Sequence, residues 1–468
     1  MIKCLARELF LTLISIGGCV FQSTGQMLLY NNSNTMQYSA VKLTNPSLTE
    51  KKRFGRATLF FGLGEAVPWS FDKYIAKADF ANISFQTLGY NINPGSWSWD
   101  SDDFITNQLA HPAHGNIFFN AYRSNGYTFW QSVPAVFVGS YIWETAGETQ
   151  APSINDFINT SFGGVILGEM THRLANKIIN NHTRGVKRQL SEIFACMINP
   201  VNGLTRITNG QWGKVSDNSK ERDSSLVATE FDAGMRRFSA NGQQGKFGWY
   251  AHIKLMYGTP FEQYRTPFSY IEVNTEFGQD KTSIANVVTV SGSLTGFSVQ
   301  SSDQVKHVGL LTVNYDYINN EAFFYSAQNI RFNLFSEFKL NKKLKVNTSA
   351  GAGAIVLAAV PDPYLYAGRP YDFCSGVGFI GSAGVDAGEK FFLNIRYRGG
   401  WVTTLSGNSS SYFIHTVTGE ARYAFTDRVS ICAEPGYFTL RGDYKFYENI
   451  NKTYPYFRAS VRYAVDFR

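Results

Sequence analysis

The sequence predicts a mainly β protein with an α-helical domain. The expected layout is an N-terminal periplasm-side helical bundle followed by an outer-membrane antiparallel β-barrel of about twelve strands. Three observations carry this prediction. The composition is aromatic- and glycine-rich with few charges, the second half alternates apolar and polar residues with a period of two, and the stretch from 111 to 208 carries a helical pattern studded with ionisable residues.

Aromatic residues make up 15% of the 468 residues, glycine accounts for 42, and charged residues for only 17%. A soluble enzyme of this length needs more charge, whereas a barrel is built from Tyr, Phe and Gly. The mean hydropathy of -0.18 fits as well, because lipid-facing and lumen-facing residues alternate along transmembrane strands and average out. The net charge of +7 is spread along the chain. Without a dense basic run there is no case for a nucleic-acid partner; a basic lumen or an anionic outer-membrane lipid surface accounts for the excess.

In chain order, residues 1–25 read as a signal peptide. Lys3 and Arg7 precede the apolar run LFLTLISIGGCVF, which is too short to anchor the chain, and Ser23 and Gly25 are small residues placed for cleavage before Gln26. Cys19 in SIGGC is a loose lipobox look-alike. With Cys4 and Cys19 inside this segment, Cys196, Cys374 and Cys432 remain. That odd number, with no CxxC pair, speaks against a disulfide framework or a cysteine zinc site. Residues 26–105 are turn-rich and read as an irregular periplasmic segment.

The helical domain is expected over 106–210. Pro112 suits the first turn of a helix carrying IFFNAYR, which Gly126 breaks. A second helix is expected from Phe129 to Glu148. A third begins at APSIND, where Ser153 caps and Asp156 stands three residues on. Gly164 and Gly168, with Gly163 beside them, allow another helix to approach closely. These helices are expected to pack on one another within or under the barrel. A fourth, from Lys187 to Ile198, ends at Asn199-Pro200. Residues 211–225 are polar and read as a linker, and the barrel is expected over 226–468. There KFGWYAHIKLMY, FFLNIRYR and the final strand each alternate strictly, and NGQQG, NKK and the DR at 427 mark turns.

HPAHG (111–115), AYRSNGY (121–127), GSYIWETAGE (139–148), PSIND (152–156), GEMTHR (168–173) and INPVNG (198–203) occur together in this helical segment. As a set they resemble a domain-of-unknown-function family of predicted Gram-negative outer-membrane proteins. The resemblance implies an exported, barrel-associated protein and carries over no activity.

The candidate catalytic residues are His111, His114, Glu144, Glu148, Glu169 and His172, with Arg123 and Arg173 as candidate anion-binding residues. Three readings compete for them. In the first, Glu169-x-x-His172 and the Glu144/Glu148 pair form half of a carboxylate-bridged metal site, with His111 and His114 as the available substitutes for the other half. No cofactor is specified by this pattern. In the second, His114 or His172 acts as a general base oriented by Glu144, while Arg123 or Arg173 holds an anionic lipid head group. That reading lacks a nucleophile, since Ser124, Ser132 and Ser140 lie outside any GxSxG turn. In the third, the carboxylates simply neutralise Arg123, Arg173 and Arg206 and fix the bundle. In the barrel, Arg369, Tyr371 and Asp372 are expected in the lumen or at a rim. Glu420 and Arg422 are expected to pair inside, and His252 to lie on the polar face. The sequence thus favours a structural, binding or transport role at the outer membrane, with an envelope-lipid-modifying enzyme as the alternative.

Overall fold

The structure is a computed structural model. It describes residues 51–467 except 182, 216–225, 241–242, 280–282, 284, 321, 342 and 389. The expected signal peptide and most of the expected linker lie outside the described residues.

Alternating sequence of this kind pairs into amphipathic antiparallel strands, and here they close on themselves. The strands are β1 (Val227–Ala240), β2 (Gly248–Tyr257), β3 (Ile271–Gly278), β4 (Ala285–Ser301), β5 (Val305–Asn319) and β6 (Phe324–Asn341). They continue as β7 (Leu344–Tyr366), β8 (Arg369–Ala387), β9 (Phe391–Ser406), β10 (Ser410–Ala424), β11 (Val429–Tyr444) and β12 (Ile450–Phe467). Each pairs with its neighbour in sequence, and β12 returns to β1 with Phe467 opposite Val227. Gln243–Gln244 only extends the first hairpin. The result is a closed twelve-stranded barrel, and closure leaves no unpaired sheet edge. Both barrel ends lie at one rim, called the terminal rim here; the opposite one is the far rim.

Inward-facing Glu230, His252, Glu272, Asp316, Arg398, Glu420 and Arg462 line a polar cavity of about 890 Å³ in the terminal half of the lumen. Its charges compensate one another: Arg462 bonds Asp232 and Glu420, Arg398 bonds Asp316, and Arg458 meets Glu276 and Glu434. Glu420 and Arg422 both face inward, as their parity requires, but each takes another partner, Arg462 and Glu230 respectively. His252 bonds Asp232 at 2.9 Å.

Towards the far rim the lumen is filled, mostly by aromatic and aliphatic side chains packed around Asp372, which accepts from the Tyr412 hydroxyl at 2.8 Å. Phe238, Tyr412, Leu440 and Tyr454 are buried there with Phe323. Phe323 leaves the β5–β6 turn and reaches across the barrel. Its ring lies 5.6 Å from Phe438 on β11 and 5.8 Å from Tyr454 on β12. The barrel is therefore a cup, open towards the terminal rim and closed at the other.

The helices are α1 (Phe54–Phe71), α2 (Phe85–Asn91), α3 (His111–Arg123), α4 (Phe129–Ile142), α5 (Ile154–Ile158), α6 (Gly164–Ile179), α7 (Gly185–Ile198) and α8 (Pro200–Thr208). Two of them fall where an irregular segment was expected, and α1 is the longest of all. None is long and apolar enough to cross a membrane among the described residues.

The helical domain does not pack within or under the barrel, as the sequence suggested, but against its outer wall. Ile271, Tyr315, Tyr317, Tyr371 and Phe373 alternate with inward-facing residues and so point outward, yet all are fully buried. Helical-domain side chains cover them. The Phe104 ring lies 5.6 Å from Tyr317 and 5.7 Å from Tyr371, and Phe129 lies 5.5 Å from Phe268. Polar ties reinforce the contact: Tyr371 donates to the Asp102 carbonyl at 2.8 Å and Arg173 to the Pro267 carbonyl at 2.9 Å. The physical reason is space. A helix needs a passage about 10–12 Å wide, and the lumen is already occupied by its own side chains.

On the uncovered arc, Met235, Trp249, Leu393, Ile395, Trp401 and Val461 are each more than half exposed. A closed barrel with such an apolar outer band is an outer-membrane barrel.

Candidate functional site

The helical domain is organised on the contact between α3 and α6, which run side by side in the same direction. Glycine makes the approach possible. A Cβ on Gly115 would stand 2.1 Å from the Thr160 carbonyl oxygen, and one on Gly164 would stand 2.6 Å from the Gly115 backbone. Gly168 likewise receives the Phe119 ring. The close approach expected of Gly164 and Gly168 is thus realised, with Gly115 as the partner.

This pair carries a buried ionic cluster at each end, about 18 Å apart at the helical rise of 1.5 Å per residue. At the C-terminal end of α3, Glu169 is fully buried between two guanidiniums. Arg123 donates through Nε at 2.7 Å and Arg173 through Nε at 2.9 Å. Burial alone would raise this carboxyl, but the two arginines hold it at about 2. The candidate anion-binding residues are therefore already engaged by protein. His172, on the same turn, meets Asn176 through Nε2 at 3.0 Å, while its Nδ1 is buried without a partner among the described residues. Arg206 is not bound to this cluster; with Arg188 it neutralises Glu192.

The N-terminal end is built differently. His111 follows a π-helical turn (Thr106–Ala110), Glu144 lies in a second (Trp143–Gly147), and a third (Asn159–Gly163) follows Asp156 on α5. Such turns are frequent where a helix must re-aim a side chain at a functional site. His111 Nε2 stands 3.4 Å from Asp156 Oδ1, and the nearest ligand atoms of His111, Glu144 and Asp156 all lie within 4.8 Å of one another. Ser153 holds the arrangement together. Its hydroxyl caps α5 at the Asp156 amide, and its own amide donates to Glu144 Oε2 at 2.8 Å. Asp156 is thus at once the capped first-turn residue the sequence implied and a member of the cluster.

Sequence reasoning missed one member of the set, Asp100. Asp100 accepts from Asn107 at 3.0 Å and from Asn155 at 2.8 Å. Nothing in SWSWDSDD marks this aspartate above its neighbours Asp102 and Asp103. Glu148 sits beside Glu144 and accepts from the Trp143 indole at 2.6 Å. His114 is close in sequence but faces another way: its Nε2 meets the Gly64 carbonyl at 2.9 Å, and its ring packs on Trp143 and Phe118. Of the six candidate residues, then, His111, Glu144 and Glu148 come together, Glu169 and His172 stand at the other end, and His114 belongs to the helix-packing surface.

The electrostatics of this N-terminal cluster follow from burial without a countercharge. Burial, with Glu148 next, pushes Glu144 well above the usual carboxylate range. Asp156 is raised by burial and by its hydrogen bond with Asp100, and Glu148 by burial to about 7. Burial lowers His111 to about 4, so its imidazole is neutral at ordinary pH. No Lys or Arg side chain pairs with Glu144, Glu148 or Asp156 among the described residues. Arg369, expected in the lumen or at a rim, stands on the far-rim hairpin and reaches this cluster only at the Asp100 backbone carbonyl.

Residues 96–201 match the family described as Domain of unknown function (DUF3943). The match spans both clusters and the α3–α6 contact between them. No curated protein matches the chain.

Among solved structures, the KdgM porin aligns with 50% of this chain and 98% of its own, at 10% identity and a TM-score of 0.25. The P. putida toluene transporter TodX aligns with 53% of this chain and 91% of its own, at 8% identity and 0.23. OmpT of Vibrio cholerae aligns with 52% and 98%, at 10% and 0.22. With scores of this size the likeness adds nothing to the barrel geometry described above.

Proposed function

We propose that this outer-membrane barrel has a binding or structural role, exercised by the helical domain in the plane of the membrane and not by passage of solute through the lumen. The supporting observation is the polarity of the helices. α4 buries Ser132, Ala135, Gly139 and Ser140 along with Phe129 and Val136, and exposes Trp130, Val138, Tyr141 and Ile142. α1 buries Ala57, Phe60 and Gly64 and exposes Leu59, Leu63 and Val67. Large apolar residues turned outward, with small and polar ones among those buried, is the pattern of helices that face lipid. The barrel carries an apolar outer band of its own. The proposed partner of the helices is therefore the acyl chains of outer-membrane lipid, with the terminal rim on the periplasmic side.

Reconstitution tests this reading in two ways. Single cysteines carrying a fluorophore at Leu59, Val67 and Val138 should be quenched by lipids brominated along the acyl chain, as should one at Trp401 on the barrel. Quenching at Trp401 alone would place the helices outside the bilayer and sink the proposal. In planar bilayers, wild type should show no steady conductance, because Phe323 and its partners seal the far half of the lumen. A stable open channel would restore the transport reading.

A second reading, an enzyme acting on envelope lipid, is favoured by the uncompensated carboxylates of the His111 cluster. Lipid mass spectrometry of a deletion strain complemented with wild type or with Glu144→Gln tests it. An altered lipid that only wild type restores supports it, and an unchanged lipid profile on deletion removes it.

A further inference from the structure

The charge of the His111 cluster is unbalanced in a way no other buried cluster of the helical domain is. Glu169 and Glu192 are each held between two arginines. Asp100, Glu144, Glu148 and Asp156 are gathered with no Lys or Arg side chain bonded to any of their carboxylates among the described residues, only the neutral His111 imidazole near Asp156. Buried carboxylates without a countercharge either hold protons or hold a cation.

Three features favour a cation. The donors converge from three separate elements on one point, within 4.8 Å of one another. Atoms bound to a first-row ion at about 2.0–2.2 Å lie at most about 4 Å apart, so side-chain movements of about 1 Å close the set. The donor set is also mixed, one neutral imidazole with carboxylates, which suits zinc, manganese or ferrous iron better than magnesium or calcium.

The third feature is independent of the carboxylates. Asn107 Nδ2 bonds Asp100, and Asn159 Nδ2 bonds the Asn107 carbonyl. Each side chain is fully buried, and each leaves its amide oxygen without a donor. Orphaned buried oxygens are rare, and beside a set of carboxylates they add to an excess of acceptors over donors that a cation or its bound water relieves.

We propose that His111, Glu144 and Asp156 bind a single first-row divalent cation. Asp100 acts behind them as a positioning residue, its carboxylate hydrogen-bonded to Asp156 and fixed by Asn107 and Asn155. Three protein donors leave coordination positions free for water or for an oxygen of an exchangeable ligand. The site stands whether or not the helical domain faces lipid.

The test uses the full chain purified in detergent, stripped with a chelator and titrated with Zn²⁺, Mn²⁺ or Co²⁺. Wild type should retain one equivalent through gel filtration at about 10 µM metal, and should show Co²⁺ visible bands. The Glu144→Gln, Asp156→Asn double variant keeps the size and hydrogen-bonding capacity of both side chains. It should bind at least about ten-fold more weakly while the barrel's heat-dependent gel shift is unchanged. Should that variant not fold, His111→Gln serves instead: it should shift the Co²⁺ bands as a nitrogen donor is lost. Wild type emerging without metal overturns the proposal. So does a folded double variant that binds as tightly as wild type, or a His111→Gln protein with unchanged bands.

Discussion

Both ends of the α3–α6 contact carry a buried glutamate and a histidine, but only one of them carries arginine. Glu169 receives charge-assisted hydrogen bonds from two guanidiniums and is held ionised. Glu144 receives a single bond, from the Ser153 amide, and burial drives its carboxyl the opposite way. Equal burial therefore has opposite meanings. A satisfied buried charge locks a fold, whereas an unsatisfied one is a standing demand for something else.

The largest effect separating the two ends should come from Glu169→Ala. It leaves two partly buried guanidiniums facing each other, and breaking such a pair costs about 3 kcal/mol. Denaturant unfolding of the helical domain, followed by tryptophan fluorescence in detergent, measures it. A loss below about 1 kcal/mol, the range of surface ion pairs, would show that the arginines find other partners and that the contrast is overdrawn.

Acid should act through the same residue. The folded-state carboxyl of Glu169 lies near 2, below the ordinary 4.5, so its contribution is present above pH 4.5 and fades as pH falls towards 2. The linkage is worth up to about 3 kcal/mol. Wild type should lose that stability over this window relative to Glu169→Gln. Parallel pH profiles would exclude Glu169 as the source.

Gly164→Val should cost about 1–3 kcal/mol or more by forcing α3 and α6 apart, loosening both ends together. Sharpest in contrast is the smallest effect. In metal-free protein, Glu144→Gln should change stability by less than about 1 kcal/mol, because burial already drives this carboxyl towards its neutral form and the amide keeps an acceptor for Ser153. A loss as large as that from Glu169→Ala would mean that Glu144 is already compensated.

Much of the architecture was legible from the residues. Period-two alternation marked the strands, since Glu420 and Arg462 must face in if Ile395 and Val461 face out. Ser153 and Asp156 announced a helix start, and Gly164 and Gly168 a close approach. α1 was not legible, because its exposed face is as apolar as its buried one and no amphipathic period remains to detect. Nor could helical periodicity say which surface of the barrel the bundle would choose. That depends on Phe323 filling the lumen, which is a property of a turn far away in sequence. The candidate site was half legible. Spacing placed Glu144 near Glu148 and Glu169 near His172, but the parallel run of α3 and α6 sends these pairs to opposite ends. Asp100 came in from a segment with no pattern at all.

The cladding of β3 to β8 also biases the geometry of self-association. Tyr315, Tyr317, Tyr371 and Phe373 are sealed beneath the helices, so in this sector a neighbour meets bare strand only nearer the terminal rim, at Phe297, Phe332, Leu334, Val377 and Phe379. The widest unclad face for a second copy is the arc from β9 round to β2, where Leu393, Ile395, Trp401, Val461 and Trp249 are open. Any ring or pair formed that way turns its helical domains outward, as a rim on the perimeter of the assembly.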